Sequence, residues 1–168
     1  MDADVAQATA AAHRAITDVM HRYCRSMDRI DAPLGYTVWH VDGIADYGKV
    51  FTGSGHEFID WVCDFHRTLL THHHQVGNVL IAVDGDRAVS ESYVTVDLLR
   101  VEGERRILRT GRGRYLDNWS RRAGRWAIDR RRFVLNFVDE REVHVDMGWG
   151  SRDSADPSYT TLGTLGSA

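Results

Sequence analysis

A carboxylate and an imidazole directed into one apolar cavity can move a proton without a cofactor, and this chain offers one such pair. Asp28 lies in Tyr23-Cys24-Arg25-Ser26-Met27-Asp28, beside the apolar stripe of an N-terminal helix. His74 closes the run Thr71-His72-His73-His74 and is followed by Gln75-Val76-Gly77-Asn78. A carboxylate on the apolar side of a helix needs a partner to offset its burial, and burial is also what tunes such groups for acid–base work. The competing reading is a solvated turn aspartate, which suits Asp31 better. On a strand His74 shares a face with Val76, Asn78 and Leu80, while His73 points the opposite way. His72 and His73 read as caps for a helix C-terminus, where the dipole favours histidine. A zinc site needs at least three converging ligands, and nothing is spaced to supply the third. No metal and no cofactor is expected.

Other side chains are candidates for the same interior. Arg131 shares strand parity with Phe133, Leu135 and Phe137, so it projects from an apolar face. An inward arginine neutralises a carboxylate or grips an anionic group of a ligand. Asp97, on the Glu91, Tyr93, Thr95 face, is a candidate for that partner or for a second cavity carboxylate, against strand-edge solvation. Tyr23 offers a phenol as hydrogen-bond donor, with plain core packing as the alternative. The arginines between Arg105 and Arg132 alternate along strands and read as a solvent face.

The elements that must position these groups follow from periodicity. Ala12, Ile16, Val19, Met20, Tyr23, Cys24, Met27 and Ile30 recur at helical spacing. Ser54-Gly55-His56-Glu57 has the form of a capping box, and Phe58, Ile59, Val62, Phe65, Leu69 and Leu70 predict a second amphipathic helix behind it. Residues 34–53, rich in Gly, Tyr, Trp, His and Asp, read as a loop with short elements. From about residue 74 the period changes to two. Strands are predicted over 74–83, 88–99, 106–119 and 126–137, joined by Asp84-Gly85-Asp86, Glu102-Gly103-Glu104 and Arg121-Arg122-Ala123-Gly124. Helices followed by hairpins imply an α+β fold, a curved antiparallel sheet with helices on one face. Residues 1–147 form one domain in this reading, and 148–168 form a flexible tail that could act as a pocket lid.

With 168 residues, 43% of them hydrophobic, the chain can bury one real core. A net charge of -3 argues against a generic nucleic-acid binder. Cys24 and Cys63 lack any zinc or disulfide spacing and read as reduced, buried small hydrophobes. No apolar run approaches the length of a membrane span, and Met1-Asp2-Ala3-Asp4 lacks the basic region of a signal peptide. The expectation is a soluble, cytoplasmic protein.

Four features in order carry a family resemblance: Tyr23-x4-Asp28; Trp39-His40-x-Asp42 with Asp46-Tyr47-Gly48; His74-x3-Asn78; and Trp126-x4-Arg131. The chain resembles the SnoaL-like branch of the nuclear-transport-factor-2-like superfamily over about residues 10 to 138. It is most similar there to scytalone dehydratase, hexachlorocyclohexane dehydrochlorinase and the bile-acid 7α-dehydratases. The resemblance implies a cone-shaped α+β barrel, a strongly bent sheet around a long helix, with a deep pocket. It implies an Asp28–His74 dyad in that pocket, with Tyr23, Asp97 and Arg131 around it; Tyr47 matches a pocket tyrosine loosely. His73 could compete for the role of base, but the spacing to Asn78 favours His74. The aromatic supply, including Trp39 and Tyr47, suits a flat ligand, although an ordinary core would use the same residues. A homotrimer is implied, with a dimer as alternative.

The expected activity is therefore a cofactor-independent lyase, dehydrating a small hydrophobic cyclic substrate by β-elimination. The same dyad could serve a double-bond isomerase or a polyketide cyclase. A non-catalytic ligand-binding or assembly module, like the small subunit of ring-hydroxylating oxygenases, is the rival of another class, because function lives in the site rather than in the fold.

Overall fold

The computed structural model describes residues 3–163. Helix α1 (Ala3–Asp28) buries Ala12, Ile16, Val19, Met20, Tyr23, Ser26 and Met27, the stripe that the helical spacing requires. It ends in a Schellman arrangement: Ile30 N–H donates to the Met27 carbonyl (3.1 Å) and Asp31 N–H to the Ser26 carbonyl (2.9 Å). Ile30 occupies the left-handed position there, at φ 52°. A β-branched residue in that region is strained, and the strain sits two residues after Asp28.

Helix α2 (Ala32–Thr37) starts from Asp31, whose side chain accepts from Leu34 N–H. Strands β1 (Trp39–Asp46) and β2 (Thr52–Ser54) follow, then helix α3 (Gly55–Arg67). The capping box forms as its sequence predicts. Ser54 Oγ accepts from Glu57 N–H (3.2 Å) and Glu57 Oε2 accepts from Ser54 N–H (3.0 Å). Strands β3 (Thr71–Asp84), β4 (Arg87–Glu102), β5 (Arg105–Arg122) and β6 (Arg125–Glu142) make a run of hairpins, and a short helix α4 (Pro157–Leu162) comes last.

The six strands form one sheet in the order β2-β1-β6-β5-β4-β3. All neighbours are antiparallel except β1 and β6, which run parallel with Ala45 opposite Arg131. The α+β expectation is met with two corrections. The sheet is mixed rather than purely antiparallel, and it is curled but unclosed. The parallel strand lies inside the stretch that reads as loop, because Trp39-His40-Val41-Asp42-Gly43-Ile44 has no clean alternation and its pairing with β6 is interrupted by a register shift. The predicted hairpins are present but longer at their ends.

Bulges decide which side chains reach the interior. In β3 the register shifts between Gly77 and Leu80, with Asn78 at φ 48°. His72, His74 and Val76 face inward before the bulge, and Val79, Ile81 and Val83 pack on the core after it. Asn78 and Leu80 consequently lie outside, contrary to the simple period-two reading. The outer arginines are the expected solvent face, paired with carboxylates: Arg100 with Glu140, Arg114 with Glu91, Arg121 with Asp86 and Arg122 with Asp42.

Candidate active site

Asp28 is the last residue of α1, and α1 packs across the inner face of β3. This brings its carboxylate to His74. The His74 ring Nδ1 lies 2.7 Å from Asp28 Oδ1, and the His74 backbone N–H donates to Asp28 Oδ2 at 3.1 Å. Both carboxylate oxygens are thus engaged by one residue, which fixes the position and the plane of the ring. A carboxylate against Nδ1 holds the proton there and leaves Nε2 as the basic nitrogen. Nε2 makes no hydrogen bond among the described residues. The side chains are nearly enclosed, at 5% exposure for His74 and 13% for Asp28. Of the two histidines that could serve, His74 is at the carboxylate and His73 is exposed on the other face.

Around the ring stand two further imidazoles. His72 stacks on His66 of α3 with centroids 4.0 Å apart, and His66 lies 5.4 Å from His74. The His72 ring Nε2 is 2.8 Å from the Met27 carbonyl, so this histidine does cap a helix C-terminus, that of α1, although it belongs to a strand. Burial pushes the pKa of His72 down to about 4 and that of His66 down to about 2. Both are neutral at physiological pH. Sequence reading missed His66, which looks like an ordinary basic residue in the last turn of a helix. Among the described residues no group of three or more His, Cys, Asp or Glu is arranged to hold a metal ion.

Tyr23, Tyr47 and Arg131 form a second cluster, deeper under α1. The Tyr23 and Tyr47 hydroxyls are 2.7 Å apart, and Tyr47 stacks on Phe58 with centroids 4.1 Å apart. The Arg131 guanidinium is fully buried between the Tyr23 ring (4.3 Å) and the Tyr115 ring (3.9 Å). Its partner is Asp117 on the adjacent strand, engaged twice at 2.8 Å and 2.7 Å, and not Asp97. Its Nη1 has no hydrogen-bond partner among the described residues. Burial raises the phenol pKa of Tyr23 and Tyr47 well above the ordinary value, so both are neutral donors. Sequence reading missed Asp117: counting from the turn at Ala123-Gly124 sets it opposite Arg130, and only the register shift between Asn118 and Trp119 brings it to Arg131.

Asp97 and Trp39 are not brought to His74. Asp97 pairs with His73 across the β3–β4 ladder and accepts from Thr110 Oγ1 at 2.5 Å. His74 pairs instead with Val96, so Asp97 is on the opposite face of the sheet. Trp39 is a core side chain over which α3 begins: a Cβ on Gly55 would come within 2.3 Å of its ring.

The register shows a gap in side-chain cover near the dyad. The inward row from His74 continues through Val96, Gly111 and Val138. Gly111 contributes no side chain, and a Cβ there would meet nothing nearer than 3.9 Å. A cavity of about 690 Å³ is lined by the residues that follow Asp28 and those that precede His74, Arg29, Ile30, Leu70 and Thr71, with Arg152 and Tyr159 from the segment after β6. Neither Asp28 nor His74 lines it.

The sequence profile of the SnoaL-like domain matches residues 8–132. The chain belongs to the SnoaL-like family. No curated protein sequence matches it significantly. Its fold is similar to that of a hexachlorocyclohexane dehydrochlorinase from Novosphingobium barchaimii, at 19% identity and a TM-score of 0.73 over 83% of this chain and 97% of that one. A scytalone dehydratase-like protein from Novosphingobium aromaticivorans is 20% identical, with a TM-score of 0.71 over 85% of this chain and 95% of that one. An aromatic-ring-hydroxylase-like protein from the same organism is 22% identical, with a TM-score of 0.66 over 77% and 91%. At these identities the likeness is one of fold. Among the described residues of the SnoaL-like chain no helix is long and apolar enough to cross a membrane.

Proposed function

We propose that this SnoaL-like protein is a cofactor-independent lyase that dehydrates a small hydrophobic cyclic substrate by β-elimination. The observation that carries the reading is the 2.7 Å contact between Asp28 and His74 Nδ1, with Nε2 left without a hydrogen bond. Nε2 takes a proton from the carbon beside an activating carbonyl. The electron pair released forms the double bond as the β-hydroxyl leaves, and the imidazolium returns the Nε2 proton to that oxygen, which gives water and restores the base. Asp28 holds the tautomer and stabilises the imidazolium that forms. Of the paired phenols Tyr23 and Tyr47, one donates to the other, which leaves one O–H, together with the Arg131 Nη1, as donor for a carbonyl or for the departing oxygen. The apolar row Val96, Gly111 and Val138 beside His74 fits a substrate without charge. The names of two similar folds, a dehydrochlorinase and a dehydratase, belong to eliminations, which supports the reaction class.

The test is a panel of hydrophobic cyclic β-hydroxy ketones, followed by the absorbance of the conjugated enone. A substrate found in this way should lose about 10²–10⁴-fold in rate with His74→Ala, the usual worth of a positioned base. Equal turnover by the variant would end the assignment. Exchange of solvent deuterium without loss of water would redirect it to an isomerase using the same base.

A further inference from the structure

The segment after β6 returns to the candidate site. Arg152 places its guanidinium against the C-terminal end of α3, donating from Nη1 to the His66 carbonyl (2.9 Å) and from Nη2 to the Leu69 carbonyl (2.9 Å). The His66 carbonyl belongs to the last turn, whose acceptors a helix end leaves without α-helical partners, and Leu69 follows the C-cap Thr68. The same Nη1 lies 3.3 Å from His72 Nδ1. A guanidinium has no acceptor and stays charged, so it can face only the lone pair of that nitrogen. The His72 proton must then be on Nε2, where the Met27 carbonyl accepts it at 2.8 Å. Met27 is the residue before Asp28.

We propose that Arg152 is a positioning residue: through His72 it ties the C-terminal end of α1 to that of α3 and so holds Asp28 against His74. The chain of contacts is Arg152, the His72 ring, the Met27 carbonyl and then the Asp28 carboxylate on His74. Reversing the His72 tautomer would set an N–H against the guanidinium and a bare nitrogen against a carbonyl. Protonating the ring would set two cations face to face. The other ionisable groups around His72 are His66 from α3, Asp28 from α1 and His74 on its own strand. Fixing the tie is useful at this place, because the strained left-handed Ile30 lies just beyond Asp28 and the helix end there needs outside restraint. Docking of the segment is reinforced by Arg25 with Ser158 (2.9 Å), Arg29 with Asp156 (3.4 Å) and Asp31 with Tyr159 (2.7 Å).

Only the consequence for catalysis rests on the lyase reading. The tie itself is read without substrate, by long-range ¹H–¹⁵N correlation of the histidine rings. In the wild-type protein His72 should carry its proton on Nε2 alone, and the His74 Nδ1 proton should exchange slowly with water. In Arg152→Met, which keeps an apolar stem and loses every donor, His72 should become a mixture of tautomers and the His74 proton should exchange faster. A folded Arg152→Met protein with an unchanged His72 tautomer and an equally protected His74 proton would overturn the proposal. If that variant does not fold, His72→Gln and His72→Leu decide. The glutamine amide can donate to Met27 and accept from Arg152, so it should keep the His74 proton protected where leucine does not; equal protection in the two would overturn the tie. Failure here leaves the proposed elimination standing, and failure of His74→Ala to lose activity leaves the tie standing.

Discussion

Asp28–His74 and Asp117–Arg131 are both pairs of a carboxylate with a nitrogen donor from a neighbouring element, yet they are finished differently. Asp117 and Arg131 are cross-strand partners on β5 and β6, with two short hydrogen bonds and an aromatic ring on each side of the guanidinium. Asp28 is held at the end of a helix, where the dipole disfavours a carboxylate, and a strained residue follows it. Its partner keeps one ring nitrogen without a hydrogen bond. The first pair leaves over only a cationic donor, Arg131 Nη1, which cannot take a proton, and the second leaves over a ring nitrogen that can. A proton acceptor left open at a poorly favoured position is what a site for proton transfer requires, and a charge-balanced pair inside rigid strands is what a core requires.

Removing a carboxylate from each pair should separate them most widely. Asp117→Ala leaves a guanidinium uncompensated in the core and should cost about 3–5 kcal/mol. For a chain of this size that is a fall in Tm of roughly 6–20 °C. Asp28→Ala leaves an imidazole, a group that can shed its proton where a guanidinium cannot, and should cost less than half as much. Thermal unfolding of the two variants checks this; equal losses would show that both pairs are structural.

Acid should act on one region before the other. His66 and His72 stay neutral in the fold because burial pushes them down to about 2 and about 4, whereas an unfolded histidine titrates near 6.5. Between those values the unfolded chain binds more protons, so stability falls as pH is lowered below about 6.5. Each histidine contributes about 1.4 kcal/mol per pH unit in that window. Hydrogen exchange measured from pH 7 to pH 5 should show the start of β3 and the end of α3 loosening first, with β5 and β6 protected. Uniform loosening would erase the distinction between the two regions.

Replacing both members of the buried pair by apolar residues sharpens the same contrast. Asp117→Leu with Arg131→Met removes two desolvated charges together, so it should recover most of what Asp117→Ala loses. Denaturant midpoints measure it. A double variant as unstable as the single one would mean that the ring stacking on Arg131, rather than its charge balance, holds that part of the core.

Much of this arrangement was legible in the sequence, and what was not has identifiable physical causes. The α1 stripe, the Ser54–Glu57 box and the glycine-bearing hairpin turns are local signals, and each forms as read. His74 could be singled out because strand parity separates it from His73. Long-range decisions were hidden. The parallel pairing of β1 with β6 leaves no mark in a stretch without alternation. The bulge at Gly77–Asn78 reverses parity along β3 and moves Asn78 and Leu80 outside. Asp97 could not be placed without the register that puts it behind Val96. Arg152 belongs to a stretch rich in Gly, Ser and Asp that carries no periodicity, so its contacts with His66, Leu69 and His72 depend on tertiary structure alone.

The finest comparison is between filling space beside the dyad and filling it elsewhere on the same strand. Gly111 lies two positions along the cross-strand row from His74, its φ is not positive, and an added Cβ would meet nothing nearer than 3.9 Å. Gly113, two residues on, is packed shut: a Cβ there would come within 2.5 Å of the Val134 carbonyl oxygen. Gly111→Val should therefore leave stability within about 0.5 kcal/mol, while Gly113→Val should destabilise by about 1–3 kcal/mol through overpacking. If substrate occupies the row His74, Val96 and Gly111, Gly111→Val should raise KM for the elimination with the His74 Nδ1 proton unchanged. A Gly111→Val protein that turns over the same substrate with the same KM would place the reacting carbon on the other side of the His74 ring, toward His66 and α3.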